Sequence, residues 1–116
     1  KDTLKDDLVS YDNNKKIIQK AISHLKVLKS SDAYSYVELN PITGRKHQLR
    51  KQLYNIGNPI VGDDKYFINK KFNKKKIRNK NLMLHAYKIK FIINDIKYNF
   101  KATYNLNFKN FIKFFI

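Results

Sequence analysis

Cationic and hydrogen-bonding side chains crowd into one short stretch of this sequence. Two of the chain's three arginines lie there with a histidine, a glutamine and two lysines, and the whole stretch reads Thr43, Gly44, Arg45, Lys46, His47, Gln48, Leu49, Arg50 and Lys51. An arginine offers a planar fork of N–H donors to a phosphate, and a lysine offers a compact positive charge. The stretch is therefore a candidate site for a phosphate-bearing ligand.

A helix is predicted to carry these side chains. Thr43 has the hydroxyl of a good N-cap, which favours a helix that starts near Gly44. The free N–H groups of its first turn would point outward beside Arg45 and attract anions. Arg50 lies about 140° around the axis from Arg45, and in a pocket it would need a carboxylate or phosphate partner. A solvated basic helix face is the alternative, and residue types alone leave both interpretations open.

Two antiparallel hairpins are predicted around this helix. The first joins residues 21–29 to residues 33–39, which are rich in β-branched and aromatic side chains. The two-residue period of a strand puts three side chains of the second run on one face: Tyr34, Tyr36 and Glu38. The second hairpin joins residues 82–93 to residues 96–104 through Asn94-Asp95, a pair that tolerates the positive φ angles of tight turns.

Apolar periodicity predicts two short helices. In the first, Leu49, Leu53 and Ile56 form a stripe, and Gly57 lies where a left-handed C-terminal cap belongs. The C-terminal segment repeats large apolar residues at spacings of three and four, namely Phe108, Phe111, Ile112 and Phe115. With the two hairpins, this pattern predicts an α+β fold with a mainly antiparallel sheet and short helices.

The chain is predicted to form one folded unit that follows a polar segment. Residues 1–20 carry Asp and Asn clusters without a sustained period, so we expect a linker or insertion, and the sequence does not determine whether it is ordered. Residues 21–116 are expected to form the domain. Within it, residues 69–80 are rich in Lys and Asn and are expected to lie in solvent.

Composition indicates a nucleic-acid partner. The 116 residues carry 25 Lys and Arg against nine Asp and Glu, a formal charge of +16 that attracts polyanions. Abundant Lys, Asn and Ile are typical of an AT-rich genome, so the clustered arginines carry more weight than the lysines. The absence of Cys excludes disulfides and thiolate metal sites. No apolar run approaches the roughly 20 residues that cross a bilayer, so we expect a cytoplasmic protein without a membrane partner.

Three segments, in this order and spacing, resemble the late motifs of the RluA-type ribosomal large-subunit RNA pseudouridine synthases. The first is Asn40-Pro41-Ile42-Thr43-Gly44-Arg45-Lys46-His47-Gln48-Leu49-Arg50. The second is Gly57-Asn58-Pro59-Ile60-Val61-Gly62-Asp63, followed by Tyr66, and the third is Leu84-His85-Ala86. The resemblance runs from about Ala21 to the C-terminus and identifies the C-terminal part of the catalytic domain.

The resemblance implies a cofactor-independent isomerase that turns uridine into pseudouridine in RNA, with large-subunit ribosomal RNA as the expected partner. Uridine is flipped out of the folded RNA, its glycosidic bond is cut, and a carbon–carbon bond is made. In the family, an arginine that matches Arg50 pairs with the nucleophilic aspartate, and an apolar residue that matches Leu84 packs near the target base. The segment from Thr43 to Gln48, with Lys51, is expected to bind RNA.

The sequence departs from the family pattern at the nucleophile. It lacks the Arg-Leu-Asp motif that carries the catalytic aspartate and the tyrosine motif that follows it. Asp63 matches a family aspartate that anchors loop backbone. We therefore expect the carboxylate partner of Arg50 to lie outside this chain, in a missing N-terminal half. The chain begins at Lys1 and its one methionine is Met83, which favours the same interpretation, and the chain alone is expected to be inactive.

Two other interpretations stay open. One is a catalytically dead fragment or an RNA-binding module of the same fold. The other is a small basic ribosome-associated protein, for which Arg50→Ala would weaken RNA binding about as much as Arg45→Ala. Among the histidines, His47 alone has a functional interpretation, while His24 and His85 are expected to be sheet residues. Their spacing predicts no metal site.

Overall fold

The computed structural model describes residues 2–67 and 81–116, which form two antiparallel sheets and two helices. The first sheet has the order β1-β2-β3, with strands Asp2–Asp12, Lys15–Ser30 and Ser35–Pro41. The second is a hairpin of β4, Lys88–Ile93, and β5, Ile96–Lys101. The helices are α1, Gln48–Asn55, and α2, Leu106–Phe115. The predicted α+β fold with mainly antiparallel strands is confirmed, and the predicted solvent stretch 69–80 lies outside the described residues.

Residues 2–20, expected to form a linker or insertion, lie in the first sheet, as β1, the turn after it and the start of β2. Residues 2–12 pair with β2 along their whole length, from Asp2 opposite Leu25 to Asp12 opposite Lys15. The turn between the strands uses Asn13 and Asn14, with φ of 47° and 65°. Asn tolerates this left-handed region better than most residues, so the pair makes a tight hairpin turn.

Helix α1 starts four residues later than the sequence predicted. Its N-cap is His47, with φ of 52° and no side-chain capping bond, so Thr43 is not the cap. The C-terminal prediction is confirmed, because Gly57 adopts φ of +82° directly after the cap residue Ile56. The Gly57 N–H donates to the Tyr54 carbonyl and the Asn58 N–H to the Leu53 carbonyl, which together form a Schellman motif.

The second predicted hairpin and the C-terminal helix are both present. Asn94 and Asp95 form its turn with φ of 50° and 64°, although both strands are shorter than predicted. Helix α2 begins at an Asn105 cap whose side chain accepts the Phe108 N–H at 2.9 Å. Its aromatic side chains pack beside β3, where the Phe111 ring meets the Tyr34 ring edge-on at 5.0 Å.

The core that positions the site is small and partly polar. Among the described residues the buried apolar side chains are Leu8, Ala21, Leu25 and Leu53. Buried polar side chains are as numerous, namely Ser23, Gln48, Gln52 and Asp63. Because three of these polar side chains join α1 to β2 by hydrogen bonds, directional bonds as well as apolar contacts fix the helix on the sheet. None of the described helices is long and apolar enough to cross a membrane.

Candidate functional site

Arg50 makes a bidentate ion pair within this chain. Its Nε donates to one carboxylate oxygen of Asp63 at 2.9 Å and its Nη2 donates to the other at 2.7 Å. The chain therefore supplies one carboxylate partner of Arg50 itself, and the expected pairing of Arg50 with a nucleophilic aspartate outside the chain stays a prediction. The pairing with Asp63 uses one edge of the guanidinium, which has five N–H donors in all. Over residues 2–67 and 81–116 no hydrogen bond is found from Nη1, and that edge could bind a second carboxylate or a phosphate.

The loop after α1 fixes Asp63 for this role. The oxygen that accepts from Arg50 Nη2 also accepts the backbone N–H groups of Lys65 and Tyr66, at 3.0 and 2.9 Å. Burial raises the pKa of Asp63, but the hydrogen bonds from Arg50, Tyr66 and Lys65 lower it by more than burial raises it. The net result is a pKa of about 2 instead of 3.8. Asp63 is thus ionised at neutral pH and both anchors the loop, as expected, and orients Arg50.

Two residues expected to face RNA are instead bound inside the fold. Gln48 is 3% exposed, and its amide donates to the Ile22 carbonyl and to the Ser23 hydroxyl. The Thr43 hydroxyl accepts the Ile22 N–H and donates to Gln48 Oε1. Because these groups are already satisfied, Thr43 and Gln48 hold α1 on β2, and the prediction that Gln48 hydrogen-bonds a base or RNA backbone is wrong for this structure.

The predicted anion site at the first helical turn is not formed as expected. The Arg45 N–H donates to the Gln48 side chain, and the Gln48 N–H donates to the Arg45 carbonyl. Arg45 also extends along β2, where its Nε donates to the Lys20 carbonyl at 3.0 Å. Gly44 and Lys46 are exposed, and Lys51 is half-buried one turn into α1. The cationic side chains follow one another along the chain, but the N–H groups of Arg45 and Gln48 are already bonded within the fold.

His47 lies between this basic stretch and the Asp63 loop. Its Nδ1 is 3.1 Å from the Tyr66 hydroxyl, and the two rings meet edge-on. Desolvation lowers the pKa of His47, and the positive charges of Arg50 and Lys65 lower it further. The Arg50 guanidinium also lies 5.1 Å from the centre of the Tyr66 ring, so Tyr66 joins the histidine to the ion pair.

A cleft of about 1880 Å³ opens beside this ion pair. Asp63 lies on its wall, and so does Leu84, which is 38% exposed. Arg50 does not line the cleft itself and reaches it through Asp63. The predicted pocket arginine and the predicted base-packing leucine are thus both connected to the same cleft, and their predicted chemical roles stay predictions.

Four residues on the cleft wall were not predicted as site residues. The Tyr87 hydroxyl donates to a Glu38 carboxylate oxygen, and the hydroxyls of Tyr36 and Tyr104 are hydrogen-bonded to each other. Burial raises the pKa of Tyr36 to about 12, with smaller contributions from Tyr104, Tyr87 and Glu38. The strand period had placed Tyr36 and Glu38 on one face, but their partners are about 50 to 70 residues away in sequence.

Of the three histidines, all in the described part of the chain, His85 alone lines the cleft. His85 Nε2 lies 3.1 Å from the Ala102 carbonyl and its ring packs on Tyr104, so it joins the segments before β4 and after β5. His24 lies in β2, within hydrogen-bond distance of Thr3. Over residues 2–67 and 81–116, no three His, Asp or Glu side chains come together as metal ligands would.

Comparisons with known proteins identify relatives that match parts of this chain. A family model described as RNA pseudouridylate synthase matches residues 1–55, which includes the β1–β2 hairpin. The ribosomal large subunit pseudouridine synthase C of Buchnera aphidicola subsp. Baizongia pistaciae is 36% identical over 92 residues, which are 78% of this chain and 29% of that protein. The tRNA pseudouridine synthase C of Haemophilus ducreyi is 48% identical over 56 residues, 46% of this chain and 23% of that protein.

A solved structure is similar over most of the chain. It is human RNA pseudouridylate synthase domain containing 4, with a TM-score of 0.66 and 28% sequence identity. The match covers 90% of this chain and 49% of the human one. The chain therefore spans about half of that structure and less than a third of the curated relatives named above.

Proposed function

Because the chain belongs to the RNA pseudouridylate synthase family, we propose that it forms part of an enzyme that isomerises uridine to pseudouridine in RNA. Large-subunit ribosomal RNA is the proposed substrate, because the name of the Buchnera relative assigns that protein to the ribosomal large subunit. The Arg50–Asp63 pair beside the cleft is the observation that carries the proposal. It holds an arginine at the family's motif position, with a second edge that no described residue uses.

The proposed chemistry needs a carboxylate next to the second edge of Arg50. A nucleophilic aspartate from another segment of the enzyme accepts hydrogen bonds from the N–H groups of that edge. The positive charge of Arg50 keeps this carboxylate ionised and oriented. Uridine enters the cleft after it is flipped from the RNA, and Leu84 forms an apolar wall for the base. The N1–C1′ glycosidic bond is then cut, the base turns, and a C5–C1′ bond forms. C5 loses its proton and N1 gains one, so the product is an isomer of uridine.

RNA binding near the cleft is assigned to a reduced set of the predicted residues. Arg45, Lys46, His47 and Lys51 are at least partly exposed around the start of α1, and three of them carry positive charge. Gly44 leaves room for close approach, since a Cβ there would meet nothing within 4 Å. Thr43 and Gln48 support these residues from inside the fold rather than through contact with RNA.

A chimera tests this proposal. The chain replaces the matching residues of the Buchnera relative, and pseudouridine is measured by mass spectrometry of large-subunit ribosomal RNA fragments. We expect the chimera to be active and Arg50→Lys to lower kcat about 100-fold, because Lys cannot make the bidentate pair and still offer a second edge. Arg45→Gln is expected to raise KM a few-fold with little change in kcat, since it removes a phosphate contact.

Lys109→Gln on α2 is the control for a lost positive charge, and its kcat and KM are expected to match those of the unmodified chimera. Wild-type kcat in the Arg50→Lys chimera would overturn the role of Arg50. The 116-residue chain alone is expected to bind RNA without forming pseudouridine. Turnover by that chain at the rate of the chimera would overturn the assignment of the nucleophile to another segment.

A further inference from the structure

The β4–β5 hairpin separates its side chains by chemistry onto two faces. The register places Ile89 opposite Phe100, Phe91 opposite Tyr98 and Ile93 opposite Ile96, so one face is entirely apolar or aromatic. The Phe91 and Tyr98 rings stack at 5.0 Å with planes 17° apart. The opposite face carries four lysines, one asparagine and one isoleucine, namely Lys88, Lys90, Lys97, Lys101, Asn99 and Ile92. We call this second surface the lysine face.

The positive charges of the lysine face repel one another. Lys88 is directly opposite Lys101, and like charges in that arrangement destabilise a hairpin. Lysines two positions apart on one strand are separated by roughly 7 Å. All four side chains are exposed, and both ion pairs found over residues 2–67 and 81–116 involve Arg50 instead. The lysine face is therefore a dense, unneutralised cationic surface.

The lysine face borders the cleft. Lys88 and Lys90, at the start of β4, line the cleft together with Leu84 and Asp63. A polyanion that places one of its groups in the cleft would extend past these lysines. The position of the lysine face thus favours a ligand that is long, negatively charged and bound in the cleft at the same time.

We propose that the lysine face binds phosphates of the RNA strand that leads into the cleft. This assignment rests on the proposed function and adds a second RNA surface to the one around Arg45 and Lys51. RNA is favoured over an anionic membrane because membrane-binding surfaces combine lysines with apolar side chains that enter the lipid. Here the apolar side chains lie on the opposite face, and Ile92 is the single apolar residue among the lysines.

The salt dependence of RNA binding tests the proposal. The full chain is titrated with a 20-nucleotide single-stranded RNA at several salt concentrations, with all four lysines of the face changed together (K88Q/K90Q/K97Q/K101Q). Each phosphate contact on a single strand contributes about 0.7 to the slope of log K against log salt, so the slope is expected to fall by about 3. The matched control changes four exposed lysines of β1 and β2 (K5Q/K15Q/K16Q/K29Q) and is expected to change the slope by less than about 1.

Each other outcome overturns the proposal in a recognisable way. An unchanged slope shows that the lysine face does not contact RNA, and an equal fall in the control shows a general effect of net charge. A loss of binding to phosphatidylserine vesicles with RNA binding retained favours the membrane. Thermal unfolding checks the fold, and the melting temperature is expected not to fall, because the opposed pair of Lys88 and Lys101 is removed.

A double variant, K88Q/K97Q, serves if the quadruple variant does not fold, and it is expected to lower the slope by about 1.4. The titration involves no turnover, so it is separate from the test of the proposed function. An inactive chimera together with a steep, lysine-dependent slope would refute the enzyme and leave the RNA surface standing. An active chimera with an unchanged slope would support the enzyme and refute the RNA surface on the lysine face.

Discussion

The region around α1 and the β4–β5 hairpin are stabilised in opposite ways. In the first, polar side chains are buried and every one that is shielded from solvent has a hydrogen-bond partner among the described residues. In the second, large apolar side chains such as Ile89 and Phe100 remain more than half exposed. Directional bonds fix atomic positions, whereas apolar contact is tolerant of small shifts. The geometry of the site thus depends on the hydrogen bonds around α1, whereas the hairpin contributes an exposed surface beside the cleft.

The largest effect is expected where these two regions meet. Gly62 has φ of +83°, and a Cβ there would lie 1.9 Å from the Asn81 carbonyl oxygen. The adjacent bond from the Met83 N–H to the Val61 carbonyl ties the same segments together. Gly62→Ala is expected to lower the free energy of unfolding by at least about 3 kcal/mol, measured by urea denaturation. The strain of a positive φ at alanine and the clash of its Cβ with the Asn81 backbone both contribute to this loss.

Gly57→Ala is the matched control for this substitution. Gly57 has nearly the same φ, +82°, but a Cβ there would meet nothing within 4 Å. Its expected cost is therefore about 1–2 kcal/mol, from the backbone conformation alone. Equal costs at the two glycines would show that the contact with Asn81 does not hold the two regions together.

A smaller loss is expected from the buried glutamine of α1. Gln52 is fully buried, accepts the Ser23 hydroxyl and donates to the carbonyls of Leu4 and Ala21. Gln52→Ala leaves these groups buried without partners, so we expect a loss of about 2–3 kcal/mol in the free energy of unfolding. Ile92→Ala on the hairpin, a 64% exposed side chain, is expected to cost no more than about 0.5 kcal/mol. Similar losses at both positions would remove the contrast between the regions.

The pH dependence of stability gives the smallest and most specific test. Because the folded-state pKa of Asp63 is lowered to about 2 from 3.8, its ion pair stabilises the fold fully above about pH 4. That contribution to the free energy of unfolding, about 2 kcal/mol, is lost as the pH falls from about 4 to about 2. Asp63→Asn is therefore expected to be less stable than the wild type at pH 6 and to match it near pH 2, measured by urea denaturation.

Asp64→Asn separates the ion pair from general acid effects. The Asp64 side chain is 97% exposed and lies 3.7 Å from the same arginine nitrogen. Its substitution is expected to leave the free energy of unfolding within about 0.5 kcal/mol of the wild type at every pH. A gap at pH 6 as large as that of Asp63→Asn would show that exposed charge, rather than the buried bidentate pair, sets the acid sensitivity.

The sequence predicted elements whose signals are local. The turn at Asn94-Asp95, the Gly57 cap and the α2 stripe all follow from residues within a few positions of one another. The β1 strand was missed because polar residues hide its alternation, although Asn13-Asn14 carries the same signal as the later turn. Helix α1 was started too early because a threonine hydroxyl serves equally well as a cap or, as here, as a partner of another strand.

The candidate site was predicted in part. The resemblance to the synthase family identified Arg50 and Leu84, which the structure connects to one cleft. The partner of Arg50 is 13 positions away across an irregular loop, where no periodicity links the two residues. The sequence also did not predict that the Gln48 side chain is buried, because glutamine is treated as a surface residue in an amphipathic pattern. Hydrogen bonds between residues far apart in the sequence could not be predicted from local sequence patterns.

The exposed apolar face of the hairpin has a consequence for the behaviour of the chain in solution. Over the described residues, neither outer edge of β4–β5 pairs with another strand, and open edges beside apolar side chains invite aggregation. The lysines behind that face keep copies apart by charge repulsion, which salt screens within about 10 Å at 0.1 M. The protein should therefore stay dispersed at low ionic strength and self-associate as salt is added.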